Sequence, residues 1–170
     1  TDTDGDGYVD KDGEKLSINW LTYPTRLEQP KLAEYAQSTL KDIGIDVQVN
    51  NTSDHRTFAE NGDFDVYVSS ITTAPTGDPE YFFTSTVVGS KNYGKYQNDE
   101  VTKLTDKLHQ TFDKDERGKL AVELQQDILD DDAFFFVSHL NMGIVTKSNV
   151  KGMAAHPCDY YEITADLDVE

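Results

Sequence analysis

The chain reads as an α/β protein, and three observations carry that reading. A strand-patterned segment, a helix-patterned segment and a second strand follow one another before residue 50. A third short apolar strand comes soon afterwards, and two amphipathic helical segments follow in the second half. Alternation between a period of two and a period of 3.6 is what sheets covered by helices produce.

Residues 1–14 are mostly Asp, Gly and Lys and form a polar loop. Lys15 to Tyr23 alternates apolar and polar residues, as a half-buried strand does. Leu32, Tyr35, Ala36, Thr39, Leu40 and Ile43 then recur at helical spacing. Pro30 lies near the first turn of that helix and Gly44 just past its end, the usual asymmetry of helix termini. Ile45–Val49 forms a second strand, so strand, helix and strand make a βαβ crossover with a parallel pair. Ser53 to Glu60 is a short helix capped by Ser53 or Asp54, and Phe64–Ser69 is the third strand.

Asp78–Phe83 is a turn or short helix carrying aromatics, followed by a Gly, Ser, Asn and Tyr loop from Gly89 to Gln97. Val101, Leu104, Leu108 and Phe112 mark an amphipathic helix. Asp113 to Glu116 reads as a capping box that opens another, running through Leu120, Leu124, Ile128 and Leu129. Phe134–Val137 and Ile144–Thr146 have the composition of two closing strands.

At 170 residues the chain is long enough for one domain with a proper core. Its formal charge of −17 excludes nucleic acid as a partner, because nothing would neutralise phosphates. The same charge opposes docking on anionic lipid. The single cysteine, Cys158, rules out an internal disulfide, and no general base can be assigned to it. No run reaches the ~18–20 apolar residues of a membrane span. The chain opens on Thr1-Asp2-Thr3-Asp4 rather than on a signal peptide, as the middle of a longer protein would, with its targeting sequence upstream.

The acidic opening has metal-ligand spacing. Asp2, Asp4, Asp6, Gly7 and Asp10 fit positions 1, 3, 5, 6 and 9 of an EF-hand-type calcium loop, with Tyr8 giving its backbone carbonyl. Alternate aspartates gather hard oxygens around one small cavity. Position twelve, however, is Gly13 in place of the bidentate Glu. The loop therefore reads either as a structural calcium site or as an Asp/Gly-rich turn that needs no metal. The four histidines, His55, His109, His139 and His156, show no HxH or HxxxH spacing and form no evident cluster.

A second constellation follows the third strand. Ser70, Thr72, Thr73, Thr76, Gly77, Asp78 and Tyr81 place hydroxyls and backbone amides beyond a strand's carboxyl end, where they suit the carboxylates of a polar solute. Asp78 has the charge to pair with an amino group. The alternative is that Asp78-Pro79 merely starts a short helix whose Tyr81, Phe82 and Phe83 pack in the core. Tyr93 and Tyr96 belong either to the rim of a cleft or to plain surface.

Several segments, in order, resemble the last part of the family-5 extracellular solute-binding proteins of nickel and peptide ABC importers. These are Asp2-Thr3-Asp4-Gly5-Asp6-Gly7 with Lys11-Asp12-Gly13, the passage Leu40-Lys41-Asp42-Ile43-Gly44-Ile45-Asp46-Val47, and Asn61-Gly62-Asp63-Phe64-Asp65-Val66. Asn98-Asp99-Glu100-Val101, Asp113–Arg117 and Asn149-Val150-Lys151-Gly152 are similarly placed. Within that family, Ala74–Pro79 and the tail His156–Ile163 resemble the nickel-uptake branch of Gram-positive bacteria, except that Cys158 stands where Thr is expected.

The resemblance implies one lobe of a type II periplasmic-binding-protein fold. Residues 1–14 would lead into it, residues 15–170 would form the C-terminal lobe, and the N-terminal lobe would lie upstream. It implies a solute held between the two lobes: nickel inside a small chelator, or an oligopeptide or dipeptide. It further implies delivery to an ABC permease by a monomeric, lipid-anchored protein on a Gram-positive surface. Calcium would then be a structural ion, and nickel only cargo. A calcium-stabilised extracellular scaffold is the alternative from another class. No GxSxG, P-loop, GxGxxG or zinc motif occurs, so the chain is read as a binding module and not an enzyme.

Overall fold

Asp10–Lys11 (β1) and Glu14–Lys15 (β2) close a small antiparallel hairpin at the end of the acidic loop. Ser17–Thr22 (β3) follows, then Glu28–Lys41 (α1), Asp46–Asn51 (β4), His55–Asn61 (α2) and Val66–Tyr67 (β5). The computed structural model describes residues 1–141, 143–155 and 163–170. They divide into two compact units, Thr1–Ile71 and Thr72–Glu170.

The first unit is built on a three-stranded parallel sheet in the order β4-β3-β5. β3 and β4 pair along six residues, from Ser17 opposite Asp46 to Thr22 opposite Asn51. This is the βαβ crossover that the alternating periodicities predict. β5 is shorter than Phe64–Ser69. Its ladder covers Val66 and Tyr67, and bonds from Asp65 N–H to the Asn19 carbonyl and from Val68 N–H to the Leu21 carbonyl extend it. Leu21, Tyr23, Ala33, Val47 and Ala59 are buried.

α1 starts two residues earlier than Pro30. That leaves Pro30 in the first turn, where the missing N–H costs nothing. Its sheet-facing stripe is Gln29, Ala33, Ala36 and Leu40, at the i, i+4, i+7, i+11 spacing of one helix face. Tyr35 falls off that stripe and Ile43 lies past the helix end, so they stay 70% and 63% exposed although both fit the apolar periodicity.

In the second unit Glu80–Phe82 (α3) runs directly into a π-helical turn, Phe83–Val87. Asp99–Gln110 (α4) is capped by Asn98, whose side chain accepts from Glu100 and Val101 N–H. Lys114–Asp130 (α5) is capped by Asp113, which accepts from Asp115 and Glu116 N–H. Val101, Thr105 and Leu108 of α4 and Leu120, Ala121, Leu124 and Ile128 of α5 are buried between elements of this unit. Burying Leu124 or Ile128 contributes about 1.5–3 kcal/mol each. Phe82, Phe83 and Val87 complete the core. Val150–Lys151 (β6) pairs with Asp168–Val169 (β7) in a two-stranded ribbon.

The two expected closing strands are absent among the described residues. Phe134–Val137 has no ladder partner, and 143–147 is likewise irregular. Strand composition supplies side chains that suit a sheet, but a strand exists only where another backbone satisfies its N–H and C=O groups. Phe134 and Phe136 turn their rings onto Phe82 instead, each at 5.9 Å between centroids, while Phe135 is 90% exposed. Phe112 lies past the end of α4 and is 92% exposed. Thr105 takes the buried place on that helix, its hydroxyl returning to the Val101 carbonyl.

Candidate functional site

Parallel sheets present ligands at the carboxyl ends of their strands. In the first unit, β3 runs into Tyr23 and β5 into Ser70. Tyr23 Oη accepts from Ser70 N–H at 3.0 Å, and Ser70 Oγ donates to Glu28 Oε1 at 3.3 Å. The buried Gln29 amide lies 2.7 Å from Ser70 Oγ. With its oxygen toward Ser70 it accepts the Ser70 hydroxyl in place of Glu28, and its nitrogen donates to the Val68 carbonyl at 3.1 Å. His55, the first residue of α2, stacks on Tyr23 at 4.1 Å and bonds through Nδ1 to Tyr67 Oη at 2.6 Å. Burial pushes the His55 imidazolium pKa down, and Arg56 adds to the shift. Ser70 is thus a fixed member of a hydrogen-bonded end-of-strand network.

The other candidate residues of the post-strand segment lie in the second unit. Thr72 is half-buried and Thr73 exposed. Thr76, Asp78 and Tyr81 share an open depression of about 300 Å³ with Glu80, Thr84 and Arg117. Its volume is at the small end for a ligand site. Arg117, four residues into α5, reaches both Asp78 oxygens, from Nε to Oδ2 at 3.0 Å and from Nη2 to Oδ1 at 2.6 Å. Nη2 also donates to Glu80 Oε2 at 2.8 Å. Nη1 donates to the Leu108 and Thr111 carbonyls at the end of α4, at 2.7 and 2.6 Å.

Hydrogen bonding to Arg117 holds both carboxyls below their ordinary range, and His109 Nδ1 adds a bond to Glu80 Oε1. Asp78 Oδ1 additionally accepts from Glu80 N–H at 2.9 Å, so Asp78 does start the short helix. Tyr81 Oη accepts from Lys91 Nζ at 2.9 Å. Phe82 and Phe83 are core, 8% and 2% exposed.

In the acidic loop, one carboxylate oxygen each from Asp2, Asp4 and Asp10 lies within 4.8 Å of the others. Asp6 turns away to Lys15 at 2.8 Å, which lowers its pKa first through that bond and then through Tyr8 N–H. Asp2 accepts Gly5 and Gly7 N–H groups, and Asp10 accepts the N–H and hydroxyl of Thr3. Tyr8 is half-buried, with Lys15 Nζ 4.2 Å from its ring centroid. Of the five candidate ligands, three converge through their side chains.

Among the remaining candidates, His109 is exposed on α4 and His139 is exposed outside any strand. His156 and Cys158 lie outside the described residues. Tyr96 donates to Asp131 Oδ2 at 2.5 Å, and burial, followed by that carboxylate, pushes its pKa up to about 12. Sequence reasoning passed over Arg117, Glu80 and Thr84. The available signal was an arginine in a strongly acidic chain, placed in the first turns of a helix.

No helix among the described residues is long and apolar enough to cross a membrane. A family model described as "Bacterial extracellular solute-binding proteins, family 5 Middle" matches residues 1–94. The oligopeptide-binding protein AppA of Bacillus subtilis is 30% identical over 169 residues, which is 95% of this chain and 31% of AppA. The crystal structure of NikA from Staphylococcus aureus with Ni(L-His)2 superposes with a TM-score of 0.62 at 30% identity, over 71% of this chain and 26% of that one. A nickel ABC transporter structure from Bacillus halodurans gives 0.64 at 33% identity, over 74% of this chain and 27% of that one. The chain spans about a third of the length of the curated relatives it matches.

Proposed function

The chain belongs to the bacterial extracellular solute-binding proteins of family 5, a family of binding proteins and not enzymes, and from that premise we propose that it forms one lobe of a receptor that hands a chelated transition metal, nickel first, to an ABC permease. The observation that carries the ligand reading is the depression after β5. There the hydroxyls of Thr76, Tyr81 and Thr84 stand beside two carboxylates that Arg117 already engages through hydrogen bonds. Hydroxyls beside carboxylates already engaged by a guanidinium suit a compact polar chelate better than a bare dication, which would demand unengaged carboxylate or imidazole. Thr72 and Thr73, earlier in the same unit, add two further hydroxyls to the segment that leads into the depression.

The similarity to nickel-binding NikA supports the metal arm. Similarity to AppA, an oligopeptide-binding protein, favours a peptide as the second reading. A monomeric, lipid-anchored parent belongs to the same proposal, and the relatives from Bacillus and Staphylococcus support its placement on a Gram-positive surface. Calcium in the acidic loop belongs to the proposal as a structural ion held by Asp2, Asp4 and Asp10. Two lobes closing around the solute would create the shape that a permease recognises.

Native mass spectrometry of the protein as its host produces it, purified without refolding, tests the ligand. We expect a mass increment equal to a transition metal plus a small organic chelator. A ladder of peptide masses would remove the metal reading and leave a peptide receptor of the same fold.

A further inference from the structure

We infer that Arg117 is a positioning residue, and that Asp78 serves as its anchor instead of meeting the solute. The inference rests on the proposal that the segment after β5 contacts ligand. A guanidinium carries five N–H donors in a rigid plane. In this chain all five are matched: two by Asp78, one by Glu80, and one each by the Leu108 and Thr111 carbonyls.

Arg117 therefore lines the depression with no donor left for a solute. Asp78 is engaged too: both of its oxygens accept from Arg117 and Oδ1 also accepts from Glu80 N–H, which uses three of a carboxylate's roughly four lone-pair sites. What the arginine does is join three elements. It satisfies carbonyls that the end of α4 leaves open, it is fixed by its place early in α5, and it grips the loop on both sides of Pro79. That loop presents Thr76 on one flank and Tyr81 on the other. Moving the grip would move both hydroxyls at once.

Lysine cannot replace this geometry, because its ammonium supplies three donors from a single point. Side-chain charge is kept in Arg117→Lys, so the variant separates geometry from electrostatics. A double-mutant cycle with Asp78→Asn distinguishes action through Asp78 from direct contact of Asp78 with solute. The protein as its host produces it would be titrated with nickel(II) plus two equivalents of L-histidine, and separately with a nonapeptide mixture.

Each single variant is expected to weaken the bound probe roughly tenfold, and the double variant no more than either single one. Hydrogen exchange should quicken in residues 76–81 of the variants and stay unchanged in β4. Losses that multiply in the double variant would make Asp78 a direct contact and overturn the inference. So would variants that melt earlier while the folded protein keeps wild-type affinity. If the wild-type protein binds neither probe, the ligand reading fails instead, and the inference falls with it.

Discussion

Arg117 and Asp78 form a two-pronged ion pair across 39 positions of chain, with Nε–Oδ2 at 3.0 Å and Nη2–Oδ1 at 2.6 Å. The arginine side chain is 14% exposed and the aspartate 41%. The pair is therefore half screened by solvent, and its value lies in geometry more than in charge. It ties the loop around Pro79 to α5.

Acid should weaken the second unit through this pair. Asp78 and Glu80 titrate below the ordinary carboxylate range because Arg117 bonds their ionised forms. Their contribution is present above the unfolded-state pKa values, near pH 4, and is lost as pH falls through the lowered folded values. Urea midpoints measured from about pH 7 down to about pH 3 should fall more gently in Asp78→Asn than in the wild type. Identical acid limbs would mean that the pair carries no pH-dependent stability.

Calcium should stabilise the first unit. With a dication across Asp2, Asp4 and Asp10, the melting temperature should rise by roughly 3–6 °C at about tenfold excess over Kd. Asp2→Asn should abolish the rise, whereas Asp6→Asn should leave it, since Asp6 already serves Lys15. A melting curve indifferent to calcium and chelator would reduce the loop to a turn.

Gly44→Ala should cost about 1–2 kcal/mol through the left-handed backbone alone, as φ is +80° there. A Cβ at this position would also meet Val9 Cγ1 and Val9 N at 3.1 Å, where Val9 N–H donates to the Gly44 carbonyl. The substitution therefore pushes on the acidic loop as well. Denaturant unfolding gives the cost, and any calcium response should weaken alongside it.

His55 should titrate below its ordinary 6.5, because the folded state desolvates the imidazolium. A depressed histidine contributes stability that is full above the unfolded value and is lost as pH falls through the folded one. NMR titration of the ring proton gives the folded pKa directly. His55→Phe should flatten the stability profile between about pH 5 and 7. A midpoint at or above 6.5 would contradict the stacked, half-buried placement on Tyr23.

Local signals in the sequence were sufficient wherever a structure satisfies itself locally. The Asn98 and Asp113 caps, the stripe through Leu120, Leu124 and Ile128, and the acid-rich loop follow from contacts a few residues apart, and the βαβ crossover from consecutive elements whose periodicities are each local. Tertiary structure decided the rest. It chose which face of α1 meets the sheet, leaving Tyr35 outside, and it left Phe134–Val137 without a strand partner. It also gave Asp78 to Arg117, although the sequence offered that carboxylate for a solute's amino group. The reason is physical: an ionised group takes whichever partner the folded chain brings within about 3 Å, and a strand takes whichever backbone runs beside it. Neither neighbour is written in the residues next door.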